Sequence, residues 1–327
     1  MTTTNNIIVS EQQAGQRLDI FISEQLNISR SQAQKMILNE SVVLNKAITQ
    51  KAAQRLNVQD VITIQKQTNT TAKKIKLSQE QSTEKTPATK MALAKPVVIA
   101  DTPDYIVINK PTGMLTHPTM AKEKNTLVDF ITKKYPKIKK VGDDPIRPGI
   151  VHRLDKEASG LIVVAKTQAM FTHLKEQFKN RTIEKEYIAL VHGRVARDWS
   201  EINFPIVRSE NAERMAALPL SQAHTPGAKE AKTEFWIEKK FINFTLLHVK
   251  IFTGRMHQIR VHFLAYNHPL VGDPMYVQKK QKQVWDKKLG RLFLHSTLLG
   301  FTDLQGEKQV FNSPLPKELA EFLTLLR

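Results

Sequence analysis

The period of the apolar positions changes several times along the chain, and each change marks an element. Leu18, Ile20 to Ile22 and Leu26 cluster as they do on a short amphipathic helix. Ser29 opens a second helix, Arg30 to Asn39, with Gln32 placed as its capping-box partner. Ala33, Met36 and Ile37 line its inner side and leave Arg30 and Lys35 outside. The runs Val42–Asn45 and Val61–Ile64 read as short strands. No period survives from residue 66 to 95, where Thr, Gln and Lys dominate, so this stretch is expected to be a flexible basic linker. Beyond it, Val97–Ile99 and Tyr105–Ile108 form a hairpin pattern across Asp101–Asp104, followed by a helix from Leu127 to Tyr135. Leu161–Ala165 is a continuous β-branched and aliphatic run, as in a strand buried on both faces. Met170, Phe171, Leu174 and Phe178 give Gln168–Asn180 a helical period, and Lys185–Val191 returns to strand. Ile206–Pro219 reads as loop, Lys232–Ile237 and Phe244–Ile251 as paired strands, and Leu292–His295 as another strand. A closing helix runs from Pro316 to Leu326, starting at a proline in its first turn.

Composition narrows the picture. At 327 residues, two domains are expected. The formal net charge of +18 points to a polyanionic partner. Residues 1–65 carry 6 Lys and Arg against 5 Asp and Glu, residues 66–95 carry 7 against 2, and residues 96–327 carry 36 against 24. The excess thus falls on the linker and the larger domain. There is no cysteine, which excludes disulfides and thiolate zinc sites and fits a reducing compartment. No apolar run reaches membrane-spanning length, and MTTTNNIIVSEQQ lacks the basic and apolar regions of a signal peptide, so a cytoplasmic protein is expected.

The chemistry concentrates in Arg147–Thr167, RPGIVHRLDKEASGLIVVAKT. Asp155 stands at the mouth of the buried strand, with Arg153 two residues upstream. Two readings are open. Asp155 and Ser159-Gly160 can be turn chemistry ahead of a strand. Alternatively, a carboxylate on a rigid element beside a cation is the environment a nucleophilic aspartate needs. The order HRLD, with no glycine-rich loop before it and no Asp-Phe-Gly after it, excludes a kinase catalytic loop. Tyr187 by itself reads as core, and His117 as structural. His257 and His262 lie five residues apart without the carboxylate of a His-Glu-x-x-His motif, which argues against a metal site. Lys133–Lys140, Arg208, Arg214 and the lysines at 279, 280, 282, 287 and 288 are candidate phosphate contacts.

The string HRLDKEASGLIVVAKT resembles the signature of the RluA-type pseudouridine synthases: His-Arg-Leu-Asp, two variable residues, Thr-Ser-Gly, then aliphatics. Ala158 stands where threonine is usual. Lys110-Pro111-Thr112-Gly113 and His117-Pro118 resemble a segment that packs beside the family's active site. Lys185–Val191 matches Lys-x-Tyr-x-Ala-Leu-Val, and Thr253–His262 resembles Thr-Gly-Arg-Thr-His-Gln-Ile-Arg-Val-His with Met256 in place of the small hydroxyl residue. Gly254 is expected to turn the chain into a helix with Ile259 and Phe263 inside. His268–Tyr276 resembles the segment that follows, read as loop and packing material. The first 65 residues resemble the small RNA-binding module named after a small-subunit ribosomal protein. There Arg17, Arg30, Lys35 and the loop carrying Asn45 and Lys46 are expected to meet phosphates.

The resemblance implies isomerisation of uridine to pseudouridine in RNA, with neither cofactor nor metal. Asp155 is the expected nucleophile, Arg260 its ion-pair partner, and Tyr187 the ring against the uracil. Arg153 is expected to fill the gap left in the RNA stack, with Arg255 a further RNA contact. Large-subunit ribosomal RNA is the expected substrate by analogy. A transfer-RNA synthase of the same family and a non-catalytic ribosome-assembly factor are the alternatives. The expected fold is α+β: a small αβ module at 1–65, the linker at 66–95, and a catalytic domain at 96–327 on a mixed, mainly antiparallel sheet flanked by helices. A monomer without membrane contact is expected.

Overall fold

The computed structural model describes residues 5–26, 28, 33–34, 36–37, 41–45, 47–49, 52–64, 94–119, 123–209, 214–278 and 284–327. Arg30, Lys35, Lys46, the expected linker up to residue 93, and Lys279, Lys280 and Lys282 lie outside the described residues. The chain divides into two compact units, Met1–Pro87 and Ala88–Arg327.

In the first unit, β1 (Asn5–Ile8), β2 (Val42–Leu44), β3 (Ala47–Ile48) and β4 (Val61–Ile64) form an antiparallel sheet in the order β1-β4-β2-β3. Helix α1 (Leu18–Gln25) buries Leu18, Phe21 and Ile22 against Ala33, Ile37, Val42, Leu44, Leu56 and Ile62. Arg17 caps α1 and forks onto the buried Asp19, donating from Nε and Nη2 at 3.0 and 3.1 Å. Asn45, expected at an RNA contact, braces the module's own turn. It sits at φ 51°, donates to Asp60 at 2.7 Å and accepts from the Val61 N–H at 2.8 Å.

The second unit is built on a nine-stranded sheet. Its strands are β5 (Val97–Asp101), β6 (Tyr105–Lys110), β7 (Ser159–Ala165), β8 (Glu184–His192), β9 (Trp199–Ile202), β12 (Thr233–Lys240), β13 (Phe244–Ile251), β14 (Leu294–Thr302) and β15 (Lys308–Asn312). The order is β5-β6-β7-β14-β8-β13-β12-β9, with β15 added beside β14. Among these pairs only β7 and β14 run parallel. Strand β7 is buried throughout because helices cover both its faces. Val163 and Leu161 face α3 (Gln168–Asn180) through Met170, Phe171 and Leu174, while Ile162 and Val164 face α2 (Leu127–Lys134) through Leu127 and Ile131. Each of these aliphatic side chains contributes about 2 kcal/mol of burial. A third helix, α4 (Gln258–Ala265), packs Ile259 and Phe263 onto Tyr187, Ala189, Leu247 and Val249. Helix α5 (Val284–Leu289) follows it, and α6 (Lys317–Thr324) covers Leu190, Phe244 and Phe293 from the opposite side, with Pro316 as its N-cap rather than in its first turn.

In the second unit, four short strands differ from the sequence reading. Ile206–Pro219 is not loop: β10 (Ile206–Arg208) and β11 (Met215–Ala217) form a separate antiparallel hairpin. Strands this short carry no readable alternation; Ile206 is buried in a cluster with Ala231, Val261 and Tyr276, which are distant in sequence. Strands β9 and β15 lie at the margins of the sheet and are half polar, so neither shows an apolar run.

Candidate active site

Asp155 lies in the connection that leads into β7, and that connection is held from beneath by Lys110–Thr116. Thr116 grips Leu154 twice, its hydroxyl donating to the carbonyl at 3.0 Å and accepting from the N–H at 3.3 Å. The Gly113 N–H donates to the Lys156 carbonyl at 2.7 Å, and the Thr112 hydroxyl to that of Glu157 at 2.7 Å. Lys110 is wholly buried, and its ammonium donates to the carbonyls of Pro111, Met114 and Ala158 at 2.9, 2.9 and 2.7 Å. Burial pushes its pKa down to about 7, against the pull of Asp155 and Glu157. Ala158 is buried and its N–H closes a turn onto the Asp155 carbonyl at 3.2 Å, so the turn forms without the usual threonine hydroxyl. At the strand entrance Gly160 has φ +118°, and a Cβ there would lie 2.3 Å from the Ser296 carbonyl oxygen. Only glycine lets β14 approach this closely.

The cation beside Asp155 is Arg260. Its Nη1 reaches Asp155 Oδ2 at 3.3 Å and Glu157 Oε2 at 3.4 Å. Its Nε and Nη2 donate to both oxygens of Asp273 at 2.7 and 2.8 Å, a fork-to-fork pair. Arg260 is 1% exposed and Asp273 2%. Burial works against the charged guanidinium, but the hydrogen bonds and charge of Asp273, then the charges of Asp155 and Glu157, outweigh it and hold the group above its ordinary basicity. Asp273 is aimed by its surroundings: its Oδ1 also accepts from the Met275 and Tyr276 N–H groups at 2.9 and 3.0 Å. The preceding Gly272 has φ +74°, and a Cβ there would collide with the Arg291 carbonyl oxygen at 1.8 Å. The segment read as packing material therefore supplies the counter-charge for the site's buried arginine.

Tyr187 is 6% exposed, and burial followed by the charge of Asp155 raises its phenol above the ordinary range, so it stays protonated. His257 approaches Asp155 Oδ1 with Nε2 at 3.9 Å. Its Nδ1 lies 2.9 Å from the Tyr276 hydroxyl, which itself accepts from the Met215 N–H at 2.9 Å. With that bond accepted, the phenol proton is available to Nδ1, and the imidazole proton then resides on Nε2, toward Asp155. His257, at φ 57°, is the left-handed residue that turns the chain into α4; Gly254 does not take that role. These groups surround a cavity of about 160 Å³ whose apolar walls are Leu154, Ile251, Ile259 and Leu294. It is smaller than the roughly 300–1,000 Å³ typical of drug-sized ligands, and suited to one flat heterocycle. Met256 lines it where the family pattern has a small hydroxyl residue.

The structure thus brings Asp155, Tyr187 and Arg260 to one cavity and places Arg153 and Arg255 on its rim. Arg153 approaches His117 Nε2 at 3.4 Å, and Arg255 donates to the Glu230 carbonyl at 2.9 Å. His117 and both arginines also line an adjoining basin of about 560 Å³. His262 belongs to neither cavity; its two ring nitrogens are engaged by Thr233 and the Phe204 carbonyl, each at 2.9 Å. Among the described residues no three His, Cys, Asp or Glu side chains converge as a metal site. Sequence reasoning missed Asp273, Glu157, Lys110 and the part His257 plays beside Asp155. One signal was available for Asp273: an arginine on the apolar side of a helix requires a carboxylate partner somewhere in the chain.

An RNA pseudouridylate synthase family model matches residues 104–265, and an S4 domain model matches residues 16–62. The chain belongs to the RluA-type RNA pseudouridine synthases, which are isomerases, and carries an RNA-binding S4 domain ahead of the synthase domain. It is 32% identical to an uncharacterized RNA pseudouridine synthase of Bacillus subtilis strain 168, over 98% of each chain. It is 31% identical to the ribosomal large subunit pseudouridine synthase D of Escherichia coli strain K12, over 98% of this chain and 93% of that one. The human RNA pseudouridylate synthase domain containing 4 shares the fold, with a TM-score of 0.56 at 23% identity over 71% of this chain and 94% of the human one. No helix among the described residues is long and apolar enough to cross a membrane.

Proposed function

We propose that this chain converts uridine to pseudouridine in large-subunit ribosomal RNA, with Asp155 as the nucleophile. The observation that carries the reading is a partly exposed carboxylate facing a base-sized cavity and held by an arginine that is itself buried and anchored. The target base leaves its stack to enter the cavity, which favours unpaired or easily unpaired uridines. Asp155 bonds to C1′ of the ribose while the electron pair of the N1–C1′ bond leaves with the uracil. The ring rotates, C5 bonds to C1′, and the carboxylate is released. C5 loses its proton and N1 gains one, so product and substrate are isomers and no co-reactant is consumed. Arg260 orients Asp155 and compensates its charge through the step. Tyr187 offers a ring face and a protonated hydroxyl to the base. Arg153, at the rim, fills the space the base vacates. Arg255 and the basic residues of the S4 domain, Arg17 among them, contact phosphates.

The ribosomal substrate is supported by the names of some of the relatives matched over nearly their whole length, which are ribosomal large subunit pseudouridine synthases D. In this reading the enzyme works in the cytoplasm as a monomer. The test is pseudouridine mapping in total RNA from a strain lacking the gene, complemented with wild type or Asp155→Ala. Wild type restores pseudouridine at one or more large-subunit positions and Asp155→Ala restores none. Modification by Asp155→Ala would refute the nucleophile; restoration confined to transfer RNA would refute the substrate. Restoration of ribosome assembly by both proteins with no modified uridine would leave an assembly factor.

A further inference from the structure

The basin beside the base cavity is lined by Arg147, Arg153, Lys179, Arg181, Lys185 and Arg255, and no carboxylate lines it. Lys185 differs from the others. It is only 7% exposed, and among the described residues its ammonium has no hydrogen-bond acceptor or ion-pair partner. It lies over the Phe178 ring, 5.4 Å from centroid to Nζ. Its side chain is largely buried while it lines the open basin, and this partial desolvation draws its pKa down to about 8. By contrast Arg147 and Arg181 already have carboxylates, Asp144 and Glu230.

A second unpartnered donor stands on the same aromatic platform. His152 stacks on Phe178 with ring centroids 4.7 Å apart. Its Nε2 accepts from the Val163 N–H at 3.0 Å, which fixes the ring proton on Nδ1. Burial, then the charge of Lys185, pushes its pKa down to about 3, so the ring is neutral at working pH. No acceptor for the Nδ1 proton is present among the described residues, and His152 lines the basin. Lys185 and Tyr187 alternate onto the same face of β8, about 6.6 Å apart along the strand. A step of that size is comparable to one nucleotide of RNA backbone.

We propose that Lys185 and His152 form a subsite for a backbone phosphate of the RNA, one nucleotide step from the base held at Asp155. The proposal rests on the reading of the chain as an RNA-modifying enzyme. A phosphate suits both groups: it is anionic, it accepts hydrogen bonds through several oxygens at once, and it enters with the strand that carries the uridine. The subsite reads charge and position rather than base identity.

The test uses full-length protein and unmodified large-subunit ribosomal RNA made by transcription. Lys185→Met, Lys185→Arg and His152→Gln are compared with wild type. Lys317→Met, which removes the same charge from the exposed face of α6, controls for net charge. Lys185→Met is expected to raise KM about tenfold, as for loss of a charged hydrogen bond, with kcat at saturating RNA within about twofold of wild type. Its plot of log affinity against log salt is expected to be shallower by about 0.7, one phosphate contact on a single strand. Lys185→Arg should keep the wild-type slope, and so should Lys317→Met. Lys185→Met should also melt no lower than wild type, since it removes a partly desolvated charge that has no protein partner among the described residues; a merely structural lysine would show the opposite. His152→Gln keeps an acceptor for Val163 through its amide oxygen but replaces the ring N–H with an amide NH2 displaced from the Nδ1 position, and should raise KM without changing the salt slope. An unchanged slope and KM in Lys185→Met overturns the proposal, as does a fall in kcat alone. Absence of isomerisation by wild type would instead count against the proposed function, and the salt slope would still decide the subsite.

Discussion

Replacing Arg260 by methionine separates what holds the site together from what performs the reaction. The substitution leaves Asp273 buried with two backbone donors but no cation, and removes the guanidinium contact to Asp155. Breaking a buried ion pair from one side costs about 3–5 kcal/mol. For a unit of this size each kilocalorie lowers Tm by about 2–4 °C, so Arg260→Met should melt about 6–20 °C lower. Asp273→Asn should cost a similar amount, because the amide presents N–H groups to a guanidinium that needs acceptors. The double variant is the informative one. With both charges gone, the introduced amide still accepts from the Met275 and Tyr276 N–H groups while methionine packs beside it, and a buried pair replaced by neutral groups is often near neutral in stability. Most of the lost stability should therefore return, so the double variant should be far more stable than the sum of the two single costs and no less stable than either single variant. Activity should not return: with Asp155 unanchored, turnover should stay at least about 100-fold below wild type. Urea melts followed by circular dichroism give the first quantity, and single-turnover isomerisation on a mapped substrate gives the second. Wild-type turnover in the double variant would refute the role given to Arg260. Additive destabilisation, with no recovery, would refute the account of the pair as a self-contained anchor.

Acid, a buried lysine and a tight glycine offer three further tests. His152, His262 and His295 are held neutral by burial at about 3, 4 and 4, below the unfolded value near 6.5. Because the unfolded chain binds more protons in that window, their stability contribution is complete above pH 6.5 and is lost as pH falls toward 4. At pH 5 the loss is roughly 2 kcal/mol for each, about 6 in all, so acid unfolding should begin near pH 5; full stability at pH 4.5 by calorimetry would contradict it. Lys110→Met strands three carbonyl acceptors under the Asp155 loop and should cost about 2 kcal/mol with a fall in kcat larger than any change in KM, read by urea melts and steady-state kinetics. Gly160→Ala forces both a left-handed alanine and a collision with Ser296, and should lower stability by several kcal/mol or abolish soluble expression; a wild-type melting curve would show that the strand junction is not as tight as described.

The parts of the fold visible in the sequence were those whose burial is local. Leu161–Ala165 reads as a two-sided strand because the run itself is apolar, and α3 reads as a helix because Met170, Phe171, Leu174 and Phe178 repeat on one face. Marginal strands such as β9 and the β10–β11 hairpin are made by partners elsewhere in the chain, and their own residues do not announce them. The site divides in the same way. Asp155, Tyr187 and Arg260 sit in motifs, whereas Asp273 lies in an Asp-Pro sequence that reads as an ordinary turn. Lys110 likewise looks like a surface lysine until three carbonyls close around it. The charge that stabilises a charged residue is a tertiary fact, visible in sequence only as the need for a partner.

The parallel seam between β7 and β14 has a consequence for biosynthesis. His295 and Ser296, which receive Ser159 and Gly160, are added to the growing polypeptide more than a hundred residues after them. Arg260 and Asp273 are also translated late relative to Asp155. A nascent chain therefore exposes its nucleic-acid-binding head, and even its aspartate loop, long before that aspartate has a guanidinium or a finished wall beside it. Contacts of such long sequence separation are slow to form, so the cavity around Asp155 is completed as one late event in folding.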